Sequence, residues 1–187
     1  MTGLIARRGI RLQVKLAYEP DTLSQLVTGE VSACVTSVSR AKQGCESFPL
    51  GKLVYRLVAT PHFAKRFFAK GLSREALRAA PTVFFGHRDP VSEEYFEREF
   101  GLRSQEISKH LIPSSEGFRR TALLGIAYAL HPAIDITEEL KSGALIDLAP
   151  RKTHSVALYW QVPRVRPRII EELSEAVIKH AAKLLSV

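Results

Sequence analysis

The sequence predicts an α/β fold, in which strands and helices alternate along the chain. Residues 11–16 alternate apolar and polar side chains, which is the period of a half-buried strand. Apolar residues then recur at helical spacing over residues 23–27, and Gly29 ends that helix just before the apolar run at residues 31–35, which we expect to be a strand buried on both faces. Because this order repeats further along the chain, we expect parallel sheets with right-handed crossovers.

The remaining elements follow the same alternation. Strands are predicted at residues 52–59, 82–85, 106–112, 125–130, 145–148 and 156–161. Helices are predicted at residues 73–79, 92–100, 115–124 and 134–141, with an amphipathic stretch at 62–70 and a last helix whose apolar stripe runs over 170–184. Several ends carry specific signals: Pro61 ends a strand, and Gly143 follows Lys141 where a helix should stop.

Composition limits the possible classes of protein. At 187 residues and 45% hydrophobic, the chain holds enough apolar material for one ordinary domain or two small lobes. The net charge of +8 comes from arginines and lysines scattered along the chain, which is typical of a solvated surface. No zinc-finger spacing, RNP aromatic motif or basic heptad region accompanies them. DNA binding by this chain alone is therefore not supported.

Cysteine content and hydropathy indicate a cytoplasmic protein. Of the two cysteines, Cys34 lies inside an apolar run, where it would pack as a small hydrophobic residue. Residues 1–8 lack the apolar core of an export signal, and no stretch approaches the roughly 18 consecutive apolar residues of a membrane span. We expect a reduced, cytoplasmic chain with no membrane partner.

Motifs of known enzyme and metal sites are absent from the sequence. It contains no GxSxG elbow, P-loop, GxGxxG turn or HExxH pair. The six histidines stand far apart, and no two have the helical spacing of metal ligands. We expect no catalytic residue, no cofactor and no metal. An enzyme built from residues distant in sequence stays an open alternative.

A strand that leads into Ser114, Ser115 and Glu116 is the most informative local feature. These residues start a helix, and the N–H groups of a helix N-terminus, together with hydroxyls, can hold a small polar molecule. An ordinary N-cap explains one serine completely, so the functional interpretation attaches to the other serine and to Glu116. The pattern favours a sensor of small molecules over a catalyst.

Several motifs in a fixed order resemble one family. They are Gly29-Glu30 within residues 26–31, Gly44-Cys45, residues 81–89, Ser114-Ser115-Glu116, residues 139–148 and Leu158-Tyr159-Trp160. Together they resemble the effector-binding region of LysR-type transcriptional regulators. The nearest likeness is to the lysine- and arginine-responsive branch that includes ArgP, LysG and IciA, the chromosome initiation inhibitor. The resemblance covers nearly the whole chain.

The resemblance implies two Rossmann-like lobes of the type 2 periplasmic-binding-protein kind, joined by two crossover strands, with an effector in the cleft. The first lobe would comprise residues 1–60 and 155–187, and the second residues 61–154. Compared with the family, the chain begins just before the second strand of the domain. We therefore expect an N-terminally truncated fragment whose first lobe lacks its first strand and helix, with no DNA-binding domain.

The function implied is the effector-sensing part of a transcriptional regulator. Its implied partners are a small-molecule effector, suspected to be a basic amino acid, a homodimer or tetramer of the chain, and DNA only through the missing helix-turn-helix domain. In such proteins the effector acts by biasing lobe closure. Two alternatives stay open: a stand-alone cytoplasmic amino-acid-binding module without a DNA role, and an enzyme on a similar two-lobe scaffold.

Effector-binding positions carried over from the family fall on both lobes. They are Thr36, Ser37, Asp89, Ser114, Ser115, Glu116 and His131. Asp89 would pair with an ammonium or guanidinium group.

Each position also has a structural alternative: a strand-end cap for Thr36 and Ser37, a surface loop for Asp89, and a hydrogen-bonded core histidine for His131. Gly86 and Pro90 stand where the branch tends to carry acidic residues, so the expected carboxylate cluster is thinner here.

Overall fold

Seven strands and seven α-helices occur in the described part of this computed structural model, which is residue 9, residues 11–17 and residues 19–185. The strands are β1 (Cys34–Thr36), β2 (Cys45–Ala59), β3 (Thr82–Phe84), β4 (Lys109–Leu111), β5 (Tyr128–Pro132), β6 (Ile146–Asp147) and β7 (His154–Pro163). The helices are α1 (Glu19–Val27), α2 (Pro61–Phe67), α3 (Arg74–Ala79), α4 (Pro90–Phe100), α5 (Ser115–Leu123), α6 (Thr137–Ser142) and α7 (Arg168–Leu184). Short 3₁₀ turns occupy Ser104–Glu106 and Ala133–Ile136.

The described residues divide into two compact units. The first takes the chain up to Leu53 and from Val156 onward, and the second is Val54–Ser155. The chain passes from one unit to the other within β2 and returns within β7.

A mixed sheet forms the centre of the second unit. β3 pairs in parallel with both β4 and β5, whereas β2 pairs antiparallel with β5 and with the short β6. The expectation of purely parallel pairing was therefore only partly right. The parallel pairs join strands connected by helices, as the alternation predicts. β2 crosses from the first unit into the second along the chain.

Both faces of this sheet are covered by helices and buried side chains. On one face an aromatic cluster forms, in which Phe84 stacks on Phe96 at a ring distance of 6.0 Å and both Phe96 and Phe68 meet Tyr128 edge to face. The Tyr128 hydroxyl donates a 2.9 Å hydrogen bond to the Leu77 carbonyl, so this buried polar group is satisfied. On the other face, α5 contributes Phe118 to a second buried cluster.

The first unit has its own buried clusters. Leu23 and Leu26 of α1 pack in one cluster with the buried thiols of Cys34 and Cys45. The prediction that Cys34 packs as a small hydrophobic residue is confirmed. In a second cluster, α7 packs with β7, and the indole N–H of Trp160 donates a 2.9 Å hydrogen bond to a helix hydroxyl, that of Ser174.

Two predictions for the first unit are wrong. Residues 11–17 form no strand, and Leu12, Val14 and Leu16 are 49%, 81% and 81% exposed. Alternation alone does not make a strand, because the backbone also needs a ladder partner, and no described strand pairs with this segment. The following strand lies at β1 and is not buried on both faces, since Val35 is 46% exposed at the end of the strand order.

Candidate functional site

Three loops of the second unit follow the carboxyl ends of parallel strands. The register pairs Phe84 at the end of β3 with Leu111 at the end of β4, and the Ile112 N–H continues the ladder with a 2.9 Å bond to the Phe84 carbonyl. β5 lies parallel on the other side of β3. The loops after these strands therefore meet at one edge of the sheet, which we call the carboxyl edge. In open α/β sheets this is the edge where ligands bind.

Asp89, in the loop after β3, is a buried carboxylate with three donors. Its Oδ1 caps α4 by accepting from the Ser92 N–H at 3.0 Å. Its Oδ2 accepts from the Ser92 hydroxyl at 2.9 Å and from the Phe85 N–H at 3.0 Å. A carboxylate has about four acceptor positions, so about one is left for a further donor. Asp89 therefore holds the loop in shape and adds a negative charge to the carboxyl edge.

The exposed start of α5 follows β4. The Ser114 hydroxyl caps the helix by accepting from the Gly117 N–H at 3.2 Å, as one of the two serines was expected to do. Glu116 is already paired along its own helix, since its carboxylate accepts from Arg120 Nε at 3.0 Å and lies 3.6 Å from Arg119. Ser115 has no hydrogen bond from its side chain to the described residues. Of the predicted residues here, its hydroxyl is the one left for a ligand.

His131 lies near the end of β5 and is 2% exposed. Its Nδ1 lies 3.3 Å from the Pro132 carbonyl, which can only accept, so Nδ1 carries the proton. Its Nε2 is buried with no hydrogen-bond partner among the described residues. The ring meets Phe118 edge to face at 5.5 Å. Burial lowers the pKa of His131, and nearby Arg119 adds to that effect against the opposing Asp135 and Glu139 carboxylates.

Tyr55 and Asp135, which we did not predict, also lie at the carboxyl edge. Tyr55 of β2 pairs with Pro132, and Asp135 follows three residues later in an exposed turn. Burial raises the pKa of Tyr55 to about 12, and the charges of Asp89 and Asp135 contribute to that rise. Both carboxylates therefore act on the same phenol. Asp135 accepts no hydrogen bond from the described part of the chain.

Thr36 and Ser37 belong to the first unit. Thr36 is buried at the end of β1, and its hydroxyl accepts from the Val38 N–H at 3.1 Å, so it shapes the loop that follows. The buried amide of Gln161 holds the same loop by donating to the Val38 carbonyl at 2.8 Å. Ser37 is exposed. Thr36 thus caps the end of its strand, which is the structural alternative considered for it, and Ser37 lies on the surface of the loop.

The described residues bring together no group of three or more His, Cys, Asp or Glu side chains able to hold a metal ion. No helix within them has both the length and the apolar character needed to cross a membrane.

Comparison with known proteins places the chain in a family. A family model described as the LysR substrate binding domain matches residues 6–182. The chain belongs to the LysR substrate-binding domain family. The C-terminal domains of a LysR family protein from Agrobacterium tumefaciens superpose with a TM-score of 0.89 at 28% identity, covering 99% of this chain and 91% of that one. The predicted membership and α/β class are confirmed, with an open sheet as in other LysR substrate-binding domains.

Relatives of the predicted branch are also found. The chain is 32% identical over 185 residues to the HTH-type transcriptional regulator ArgP of Vibrio parahaemolyticus, covering 99% of this chain and 62% of that protein. The ArgP of Proteus mirabilis is 34% identical, with 94% and 59% covered. Full-length LysG of Corynebacterium glutamicum with bound effector Arg superposes with a TM-score of 0.90 at 27% identity, covering 100% of this chain and 63% of LysG. The chain thus spans about three fifths of the length of these relatives.

Proposed function

We propose that this chain is the effector-binding region of a LysR-type transcriptional regulator and that it binds a basic amino acid, arginine or lysine, at the carboxyl edge of the second unit. Family membership supports the first part, and the relatives named as transcriptional regulators favour binding over catalysis. The observation that carries the second part is that two carboxylates lie at this same edge, Asp89 in the loop after β3 and Asp135 in the turn after the parallel β5.

Charge and accessibility assign different roles to the two carboxylates. Asp89 is buried and already accepts three hydrogen bonds, so it attracts a cationic ligand mainly through its negative charge. Asp135 is exposed and accepts no hydrogen bond from the described residues, so it can form the direct ion pair with an ammonium or guanidinium group. Hydrogen bonds to charged groups contribute roughly 1.5–3 kcal/mol each. Asp135 should therefore dominate recognition of the cationic end.

The other end of an amino acid is a carboxylate, which needs N–H and O–H donors. The N-terminus of α5 offers backbone N–H groups with the hydroxyl of Ser115, and a helix N-terminus favours negative charge. Thr36 and Ser37 lie in the first unit, and their role in effector binding stays a prediction from the family resemblance. Within this proposal, Ser114 and Thr36 shape their loops, Glu116 is held by its arginines, and His131 lies beneath the edge as part of its wall.

Isothermal titration calorimetry of this chain tests the proposal. Arginine and lysine should bind at pH 7.5, whereas citrulline and norleucine, which lack the side-chain charge, should not. Asp135→Asn should weaken arginine binding roughly 10- to 100-fold, since one charge-assisted hydrogen bond is lost. Glu138→Gln, at an exposed carboxylate on the neighbouring α6, is the matched control and should bind as the unmodified chain does. Equal binding of citrulline and arginine would contradict the proposal.

The regulatory role is proposed for a longer protein, acting on DNA in the cytoplasm through a helix-turn-helix domain and as a dimer or tetramer. This chain alone should give no sequence-specific retardation of DNA in a gel-shift assay. Such retardation would overturn that part of the proposal. Light scattering of the purified chain tests whether copies associate through this region.

A further inference from the structure

The segment that enters β7 is held by side chains of α4. The Tyr95 hydroxyl donates a 2.9 Å hydrogen bond to the Lys152 carbonyl, and Arg98 donates to the Thr153 carbonyl at 3.3 Å. In return, Lys152 Nζ donates to the Glu99 carbonyl at 2.7 Å. These contacts fix the backbone immediately before His154.

His154 is buried, and its contact with Arg98 determines its protonation. The Arg98 guanidinium lies 3.0 Å from His154 Nδ1. A guanidinium is always protonated and can only donate, so Nδ1 must accept. The proton of the neutral ring is therefore on Nε2. An imidazolium could not make this contact, because both of its nitrogens are donors.

The same ring contacts Tyr55. The His154 and Tyr55 rings are 6.1 Å apart at 58°, and the Tyr95 ring meets His154 edge to face at 6.4 Å. Tyr55 is the phenol on which the charges of Asp89 and Asp135 act. A chain of contacts thus runs from Arg98 through His154 to the phenol at the carboxyl edge.

We propose that neutral His154, held by Arg98, is a positioning residue that fixes Tyr55 beside Asp89 and Asp135, and that protonation of His154 weakens binding of the cationic effector. This inference rests on the function proposed above. Protonation removes the acceptor for Arg98 and places two cations in contact. It also adds a positive charge near a site that binds a cationic ligand. Each change opposes binding of arginine or lysine.

The charged groups around His154 determine where it titrates. Glu94, Arg98 and Glu99 face it from α4, together with Tyr95; Tyr55 faces it from β2. Lys152 is paired with Glu99. Burial is the largest influence and lowers the pKa of His154, Arg98 lowers it further, and Glu94 and Glu99 oppose them. The ring is therefore neutral at pH 7, and because its pKa is lowered, binding should weaken only at a pH below the ordinary histidine range.

The test is the affinity for arginine by calorimetry between pH 7.5 and pH 5. The affinity of the unmodified chain should fall over this range by up to about tenfold for each pH unit below the pKa of His154. His154→Asn places an amide oxygen near Nδ1 for Arg98 but cannot become an imidazolium, so its affinity should change much less. Asp89 and Asp135 are present in both the unmodified chain and His154→Asn, so any effect of pH on them changes both affinities alike. His62→Gln, at an exposed histidine, is the control and should follow the unmodified chain.

A second variant covers the possibility that His154→Asn does not fold. Arg98→Met keeps His154 but removes the cation beside it, so the loss of affinity should move to higher pH. A nitrogen-15 NMR spectrum of the unmodified chain at pH 7.5, without effector, should show Nδ1 of His154 unprotonated. A protonated Nδ1, or a loss of affinity that is the same in His154→Asn, would overturn this inference alone. Absence of arginine and lysine binding at pH 7.5 would overturn the proposed function and this inference together.

Discussion

Replacing Asp89 with alanine should destabilise the chain by about 3 kcal/mol. The substitution removes the N-cap of α4, which contributes about 1 kcal/mol. It also removes the acceptor of the Phe85 N–H and of the buried Ser92 hydroxyl, and each such loss costs about 1 kcal/mol or more. Asp89→Asn keeps one oxygen for capping and should cost about half as much. The comparison separates the structural role of Asp89 from its charge.

Urea denaturation followed by circular dichroism measures the effect. Glu97→Ala is the matched control, because Glu97 is an exposed carboxylate on the same helix. Exposed substitutions of this kind usually change the free energy of unfolding by less than about 0.5 kcal/mol. If Asp89→Ala were no more destabilising than Glu97→Ala, the three hydrogen bonds would not support the loop, and the reasoning would be refuted.

Three further predictions concern stability. Ser174→Ala leaves the buried Trp160 N–H without its acceptor and should lower the free energy of unfolding, measured by urea denaturation, by about 1–2 kcal/mol. Ser142→Ala, at an exposed serine, is the control and should lower it little. Equal decreases would contradict the hydrogen bond. Gly125→Ala should lower the melting temperature more than Gly143→Ala. Both glycines have positive φ, but only at Gly125 would an added Cβ lie 3.1 Å from Thr60 Oγ1. A larger decrease for Gly143→Ala would contradict this prediction. Burial lowers the pKa of His131 and of His154, so below about pH 6.5 the unfolded chain binds more protons than the folded chain does. The free energy of unfolding should therefore fall from pH 7 to pH 5. A constant value would contradict the burial of neutral rings.

Local signals predicted helix ends well. Ser114 caps α5, and Gly143 follows α6 with φ of +76°, because caps and stops depend on a few neighbouring residues. The strand predicted at residues 11–16 failed for the opposite reason. Alternation fixes which side chains share a face, whereas a strand also needs a partner that the local sequence does not specify.

The candidate site was predictable to a similar extent. Asp89 and His131 could be placed because Asp89 follows one predicted strand and His131 lies near the end of another, at the edge that the alternation predicts. Tyr55 carried no such signal, since it lies inside a long strand and reaches the site only through its pairing with Pro132. The pairing of Glu116 could have been found, because Arg119 and Arg120 follow at the three- and four-residue spacings of helical ion pairs.

Locating bound arginine by NMR tests the central claim most directly. Backbone amide shifts of the isotope-labelled chain would be followed at pH 7.5 as arginine is added. We predict saturable shifts in residues 86–89, 114–117 and 131–135 of the carboxyl edge. Residues 124–126, which precede β5 at its amino end, should not respond. Shifts centred on residues 124–126, with none at the carboxyl edge, would contradict the account.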